Sequence, residues 1–389
     1  MKKFNKIKNL PINSISLFLS SIFLFIIFSF GNLSYVLSNK CCEKFNTVGK
    51  FEHSFYFKPF ITDYLVSFLH STISTKSFLI LSLYFIPIIV HIFLFKIFSK
   101  YLSIFWSLSI CFVSLISYQD INFRDFLIGF DFKNINLDIK LLAIQKFPLP
   151  SISVLFFLII FYYSIDLKIL NLKRISFFTF LWSIYFYVNA LDAIFGIIFW
   201  YCYFLIRTLL LEKQNNSIRN LLIQILISFL ILLPAYIYSS ISNIDNAGST
   251  EFEILEYQLI YMLLPILLLF ITYFLYKVNL REILFKFLPV YLLMFIEFSL
   301  IYLSYFFNFG VNIDILTNRI PLFFLHFYYY LPIFYFLTNS YTRHKNQSFK
   351  DSRSKLSYIL SQLFNKFSTF VLPIIWIFLC AFVYRINIL

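Results

Sequence analysis

Leu221-Leu-Ile-Gln-Ile-Leu-Ile-Ser-Phe-Leu-Ile-Leu-Leu-Pro-Ala-Tyr-Ile-Tyr238 is an uncharged and almost entirely apolar stretch of the sequence. As an α-helix, with a rise of about 1.5 Å per residue, it would extend about 27 Å. The hydrocarbon core of a bilayer is about 30 Å thick, and about twenty apolar residues cross it. The stretch therefore predicts a membrane-spanning helix, and similar stretches recur along the chain.

The composition extends this prediction to the whole protein. The chain has 389 residues, of which 60% are hydrophobic and only 13% charged, and its mean hydropathy is +0.82. Soluble domains carry about 25% charged residues. We therefore predict an all-α, polytopic transmembrane helix bundle, because a β-barrel would show shorter segments of alternating polarity. No internal repeat, soluble domain or Pro/Gly-rich linker is visible, so residues 1–389 are expected to form a single integral membrane domain.

The apolar stretches predict about eleven spans, with interfacial helices in the outer loops. The N-terminus is expected inside, because Lys2, Lys3, Lys6 and Lys8 precede the first span. The predicted spans cover approximately residues 13–37, 77–97, 102–117, 147–166, 175–188, 192–207, 221–238, 257–276, 288–307, from 321 onward, and 367–384.

The net charge of +14 fits this topology. Roughly two thirds of the Lys and Arg residues fall in the predicted inner loops, as the positive-inside rule requires. The basic balance is thereby explained without nucleic acid, which we do not expect as a partner. Most carboxylates fall in the predicted outer loops, and orientation alone does not require that.

Cysteine and histidine residues give no metal motif. Cys111, Cys202 and Cys380 lie within apolar stretches and are expected to be small buried hydrophobic residues. The sequence contains no CxxC, HxxxH or HExxH spacing, so we predict no zinc site.

A short polar island interrupts the apolar chain at Tyr118-Gln-Asp-Ile-Asn-Phe-Arg-Asp-Phe-Leu-Ile-Gly-Phe-Asp131. In this island one carboxylate of Asp120 or Asp125 could act as a general base while Arg124 holds a phosphate. The alternative is a local Asp–Arg pair that caps a loop helix.

Further candidates come from the other predicted outer segments. Asp63 lies on Pro59–His70, which is predicted to be an amphipathic helix on the membrane surface. Asp192 is expected in a tight turn, either as the N-cap of the next helix or as a substrate ligand. Arg319 either anchors the chain at the interface or binds a phosphate headgroup. The predicted catalytic residues are Glu52, Asp63, Asp120 and Asp125, and the predicted substrate-binding residues are His53, Arg124, Lys146, Asp192 and Arg319.

Two further sets of acids have their own interpretations. Glu297 lies within a predicted span and should face the bundle interior. There it could mark a proton or ion path, or it lies near enough to the helix end to snorkel to the interface. Glu251 and Glu253 could bind a divalent metal ion, although two carboxylates in a loop are usually only solvated. We assign no metal ligands and no cofactor, with a divalent metal ion as the one alternative.

This layout resembles the GT-C superfamily of polyprenyl-phosphate-sugar-dependent glycosyltransferases. The resemblance covers most of the chain as topology: an inside N-terminus, a long first outer loop with a surface helix at Pro59–His70, and a second charged outer loop at residues 120–146. It implies a bacterial inner-membrane enzyme of surface-polysaccharide biosynthesis in the cell envelope, whose partners are a lipid-linked sugar, membrane lipids and a glycan acceptor. The acidic pair of DxD or ExD type that follows the first helix in that family is absent here, since Glu43, Glu52 and Asp63 are isolated from one another.

Two other functions remain open on the sequence. A polysaccharide polymerase or ligase of O-antigen type would have a similar number of helices and outer arginine residues. A transporter or flippase would show repeats, Gly- or Pro-broken helices and several charges at mid-membrane depth. The chain has only 6 Gly, which favours the enzyme.

Overall fold

The computed structural model describes a part of the chain, chiefly its central helices. The described residues are 14, 16–22, 61, 75–116, 151–167, 170–211, 217–241, 267, 270, 286–307, 328, 331–335, 355–356, 359–360 and 362–363. Within these ranges the backbone forms helices and turns and contains no strand. The all-α prediction is confirmed for this part of the chain.

The described helices follow the predicted spans closely. The helix Leu288–Phe307 has the predicted bounds, and the helix Leu172–Tyr185 begins and ends three residues before its prediction. A short π-helical turn, Arg207–Leu211, extends the helix Ala190–Ile206. The helices are α1 (Thr75–Phe98), α2 (Ile104–Ile116), α3 (Ser151–Ile165), α4 (Leu172–Tyr185), α5 (Ala190–Ile206), α6 (Ser217–Ile241) and α7 (Leu288–Phe307).

The helix α5 lies at the centre of the described bundle. It contacts α3, α4, α6 and α7, while α1 contacts both α2 and α3. The buried surface of this core is strongly aromatic, and its largest fully buried side chains include Trp182, Trp200, Phe157 and Phe199. Both indole N–H groups are satisfied, since Trp182 donates to Ser164 at 3.2 Å and Trp200 donates to Thr179 at 2.9 Å.

One close approach allows α4 and α5 to pack together. A Cβ atom added to Gly196 on α5 would lie 2.1 Å from Cζ3 of Trp182 on α4. That separation is far below a van der Waals contact, and the indole is fully buried. Position 196 therefore has to be glycine for the Trp182 ring to occupy this site.

One end of the bundle is basic, and we call it the basic end. The loop after α1 meets the loop after α3 there, because Lys100 Nζ lies 2.9 Å from Asp166 Oδ1. The start of α7 reaches the same place, where Phe287 stacks on Tyr101 with ring centroids 5.3 Å apart. Described basic residues near this end of the helices are Lys96, Lys100, Lys173, Arg174, Arg207, Arg219 and Lys286.

The opposite end contains the turn between α4 and α5, and we call it the Asp192 end. Because α1 and α3 both finish at the basic end, the starts of α1 and α3 point toward the Asp192 end. The finishes of α2 and α7 also lead away from the basic end, since both helices begin there. A backbone hydrogen bond also joins the isolated residue Ile61 to this end, with Ile61 N donating to Tyr187 O at 2.9 Å.

The helix α6 has its polarity inverted relative to a water-soluble helix. Asn220, Gln224 and Ser228 recur at helical spacing and are buried. The opposite face is apolar and exposed, with Ile218, Leu222, Leu226, Phe229 and Leu230. A surface helix in water shows the reverse arrangement.

Two helical stretches in the described residues are long and apolar enough to cross a membrane: Asp192–Leu209 and Ser217–Ala235. Core helices of soluble proteins can meet the same criterion, and Asp192–Leu209 is 56% buried. In contrast, Ser217–Ala235 is only 17% buried. The apolar composition of Ser217–Ala235 is therefore not explained by burial in a protein core.

Candidate functional site: a buried polar cluster at the turn between α4 and α5

The structure describes one of the predicted site residues, Asp192. The others lie outside the described residues, so their predicted roles stay predictions: Glu52, His53, Asp63, Asp120, Asp125, Arg124, Lys146 and Arg319. Glu297 lies on α7, and its side chain is outside the described part as well. The buried position predicted for Cys111 is confirmed, while Cys202 is only half-buried.

Asp192 is the centre of a cluster of buried polar side chains. Its Oδ2 accepts hydrogen bonds from Ser153 Oγ at 2.5 Å, from Asn189 Nδ2 at 2.6 Å and from Tyr185 Oη at 3.3 Å. The donors come from α3, from the turn and from α4 respectively. Only 7% of Asp192 is exposed. The three donors compensate for the removal of the carboxylate from water.

The prediction that Asp192 is the N-cap of its helix is wrong. Asn189 is the N-cap of α5, and its side chain accepts a hydrogen bond from the backbone N–H of Asp192. Asp192 therefore lies three residues into the helix, in its first turn. There its carboxylate reaches back to the Asn189 side chain and lies near the positive end of the helix dipole.

In this geometry Asp192 connects several helices through hydrogen bonds. The Ser153 hydroxyl also accepts from Asn189 Nδ2 at 3.0 Å. The single hydroxyl hydrogen of Tyr185 is shared between Asp192 Oδ2 and the Ser153 carbonyl, which lies 2.9 Å from Tyr185 Oη. These bonds join the start of α3 to the turn between α4 and α5. The carboxylate is buried, and its Oδ2 accepts from three neutral donors, so it stabilises the position of three helix ends. The prediction that it binds substrate stays a prediction.

A second polar network joins α4, α5 and α6. Ser183 Oγ lies 2.7 Å from Ser228 Oγ, and Tyr201 Oη donates to Ser228 Oγ at 2.5 Å. Gln224 Nε2 donates to Ser176 Oγ at 3.2 Å. Hydrogen bonds of this kind stabilise the association of apolar helices, and small residues such as serine let the helices approach closely.

Sequence reasoning identified Asp192 but missed its partners, and it missed the second network altogether. The recurrence of Asn220, Gln224 and Ser228 on an otherwise apolar helix is a signal that could have indicated an interhelical face. Ser153, Tyr185 and Asn189 carry no such signal, because they come from three different segments.

A further buried contact joins the N-terminal segment to α1, where Ser20 Oγ lies 2.9 Å from His91 Nε2.

The basic end contains cations that lie against aromatic rings. Lys100 Nζ lies 4.3 Å from the ring centroid of Tyr162, and Lys96 Nζ lies 5.7 Å from the same centroid. Lys96 Nζ is also 5.2 Å from the ring of Phe93. Burial lowers the pKa of Lys100, and its hydrogen bond and charge interaction with Asp166 oppose that shift.

In the part of the chain that the structure describes, no three His, Cys, Asp or Glu side chains come together as a metal site. No protein-family model, curated protein or solved structure matches the chain.

Proposed function

We propose that the chain is a multi-pass protein of the bacterial inner membrane, with about eleven spans and an inside N-terminus. We further propose that it transfers a sugar from a polyprenyl-phosphate donor to a glycan or lipid acceptor on the outer face. Charge segregation along the sequence supports the topology. The convergence of several helix ends on one side of the described bundle supports the location of the site.

The exposed face of α6 supports a membrane location. Its buried polar stripe bonds to α4 and α5, while large apolar side chains cover the outward face. In water that outward face would be a large hydrophobic patch, which monomeric soluble proteins rarely expose. Lipid acyl chains satisfy it without cost.

The hydrogen bond between Ile61 and Tyr187 carries the site proposal. Ile61 belongs to the predicted surface helix and stands two residues before Asp63, and Tyr187 belongs to the turn at the Asp192 end. The starts of α1 and α3 and the finishes of α2 and α7 point toward that end too. The segments that contain the eight other candidates attach to these helix ends, which supports one shared site beside the Asp192 cluster.

The proposed reaction needs few groups. The donor enters sideways from the bilayer, and its phosphate meets Arg124, Lys146 or Arg319. One carboxylate among Glu52, Asp63, Asp120 and Asp125 takes the proton of the acceptor hydroxyl, whose oxygen forms the glycosidic bond. The bond between the sugar carbon and the phosphate oxygen breaks, and polyprenyl phosphate leaves. Catalysis rests on positioning and on stabilisation of the leaving phosphate.

A deletion strain tests the activity. Its surface glycans and polyprenyl-linked intermediates are profiled beside those of strains complemented with wild type or with alanine at the four candidate carboxylates. We expect loss of one sugar or branch in the deletion strain, and no rescue by the fourfold variant. A matched control is the double alanine variant of Asp245 and Glu256, acids of another predicted outer loop that are not assigned to the site, and this control should rescue fully.

Other outcomes of the same experiment would decide against a transferase. Single repeat units left unpolymerised would identify a polymerase or ligase, the second candidate. Unchanged glycans and lipid intermediates would favour the transporter or flippase. Full rescue by the fourfold alanine variant would reject the assigned carboxylates.

A charge placed on α6 tests the membrane location. Leu226→Lys puts an ammonium group in the middle of the exposed face, at a cost of about 3 kcal/mol in a bilayer. We expect the amount of protein in the carbonate-resistant membrane fraction to fall, with no soluble protein in its place. Ile218→Lys is the matched control on the same face but near the helix end, where lysine reaches the interface. Normal accumulation of Leu226→Lys in a soluble fraction would reject a bilayer around α6.

A further inference from the structure

The outward surface between α1 and α3 is an apolar stripe that ends at charged groups. Phe85 and Ile89 on α1 and Phe156 and Tyr163 on α3 are exposed. The stripe runs along both helices toward the basic end, because α1 and α3 finish together there. At that end the ring of Phe93 lies 6.3 Å from the ring of Tyr163, centroid to centroid.

Two ammonium groups converge where the stripe ends. Lys96 and Lys100 both lie over the Tyr162 ring. The described carboxylate beside them is Asp166, which forms an ion pair with Lys100. Within the described residues, two cations therefore meet one anion, and the group carries a net positive charge.

The three charged groups also differ in their contact with solvent. The Lys100 side chain is 23% exposed, and the Asp166 side chain is 56% exposed. Lys100 is thus held by the ring and the carboxylate, whereas Asp166 extends outward. An incoming anion could contact Lys96 while the Lys100–Asp166 pair stays intact.

We propose that this site binds one anionic phospholipid, with its phosphate at Lys96 and Lys100 and an acyl chain along the stripe between α1 and α3. The inference rests on the proposed membrane location, although it does not depend on glycosyl transfer. The charges indicate the kind of headgroup. Asp166 neutralises one of the two ammonium groups, and the single negative charge of a phosphate diester would neutralise the other. The exposed aromatic side chains form an apolar surface that continues from the headgroup site, and an acyl chain would pack against this surface.

The test is native mass spectrometry of the full-length protein, purified in detergent and titrated with phosphatidylglycerol or phosphatidylcholine. We expect wild type to retain phosphatidylglycerol preferentially. Lys96→Gln, which leaves the pair with Asp166 in place, should reduce this preference about fivefold, and the Lys96→Gln/Lys100→Gln variant about 30-fold. The matched control is Lys173→Gln/Arg174→Gln, which removes two exposed charges at the same end and should keep the preference.

Three results would overturn the proposal. Equal retention of both lipids by wild type would show that there is no anionic site. An equal loss of preference in the Lys173/Arg174 control would show a general surface-charge effect. Displacement of the lipid by millimolar inorganic phosphate would show a site for free phosphate. Failure of the membrane proposal is distinguishable, since wild type would then retain neither lipid.

Discussion

The two ends of the described bundle stabilise charged side chains in different ways. At the Asp192 end a single carboxylate is buried, and its Oδ2 accepts from three neutral donors. At the basic end Lys100 and Asp166 form an ion pair that remains partly exposed and lies against an aromatic ring. A buried charge needs every donor in place, while an exposed pair shares its stabilisation with water. The same type of substitution should therefore cost far more at the Asp192 end.

The largest effect is expected for Asp192→Ala. The substitution removes the acceptor that Ser153, Asn189 and Tyr185 share, although Asn189 and Tyr185 keep their bonds to Ser153. We expect a cost of about 3 kcal/mol in the free energy of unfolding. The thermal unfolding of the purified protein, followed by tryptophan fluorescence, measures this cost. Asp192→Asn keeps an acceptor oxygen and should lose less than half as much. An unchanged melting temperature for the alanine variant would contradict the buried cluster.

The next effect is expected at Gly196, one helical turn after Asp192. Gly196→Ala forces a methyl group against the buried ring of Trp182, and overpacking of this kind costs about 2 kcal/mol. The same melting experiment and the near-ultraviolet signal of the tryptophan residues report the change. Ile194→Ala on the same helix, at a side chain that is 41% exposed, is the control and should change stability little. If Gly196→Ala left the melting temperature unchanged, the two helices would be able to move apart without loss of stability.

A smaller effect is expected in the network between α4 and α6. Ser228→Ala removes the hydroxyl that contacts Ser183 and Tyr201. Hydrogen bonds between membrane helices contribute about 0.6 kcal/mol on average, and the melting temperature should fall accordingly. The exposed-face variant Leu226→Ala serves for comparison. A larger fall for Leu226→Ala than for Ser228→Ala would reverse the assignment of inner and outer faces.

The smallest effect is expected at the basic end. Asp166→Asn removes the carboxylate of a partly exposed ion pair, which is worth at most about 1 kcal/mol. Because salt screens exposed charges, the difference from wild type should shrink further at high ionic strength. Melting curves at low and high salt measure both quantities. A loss equal to that of Asp192→Ala would remove the contrast between the two ends.

Much of the described helical framework follows from local sequence. The bounds of α7 coincide with its prediction, and α1 differs by only a few residues. Hydrophobic runs, basic loop residues and Asn caps are all local signals. The shift at α4 has a local cause too, since Asn171 caps the helix by accepting from Arg174 N and so starts it earlier than the apolar run suggests.

The candidate site was far less predictable. Asp192 was recognised as a polar residue in a turn, but its partners Ser153 and Tyr185 were not. Ser153 stands 39 residues away in sequence, and nothing in its own apolar stretch distinguishes it. The choice between Asn189 and Asp192 as the cap depended on backbone geometry, because both residue types cap helices well.

The sequence by itself determined that the chain is apolar and that its described part is helical, because hydropathy and helix periodicity are properties of neighbouring residues. Only the tertiary structure decided which polar groups meet. Ser183 and Ser228 are 45 residues apart, and Ile61 reaches Tyr187 across the fold. The reason is physical: a helix offers several faces of similar apolarity, and the face that becomes buried depends on how all its neighbours pack at once.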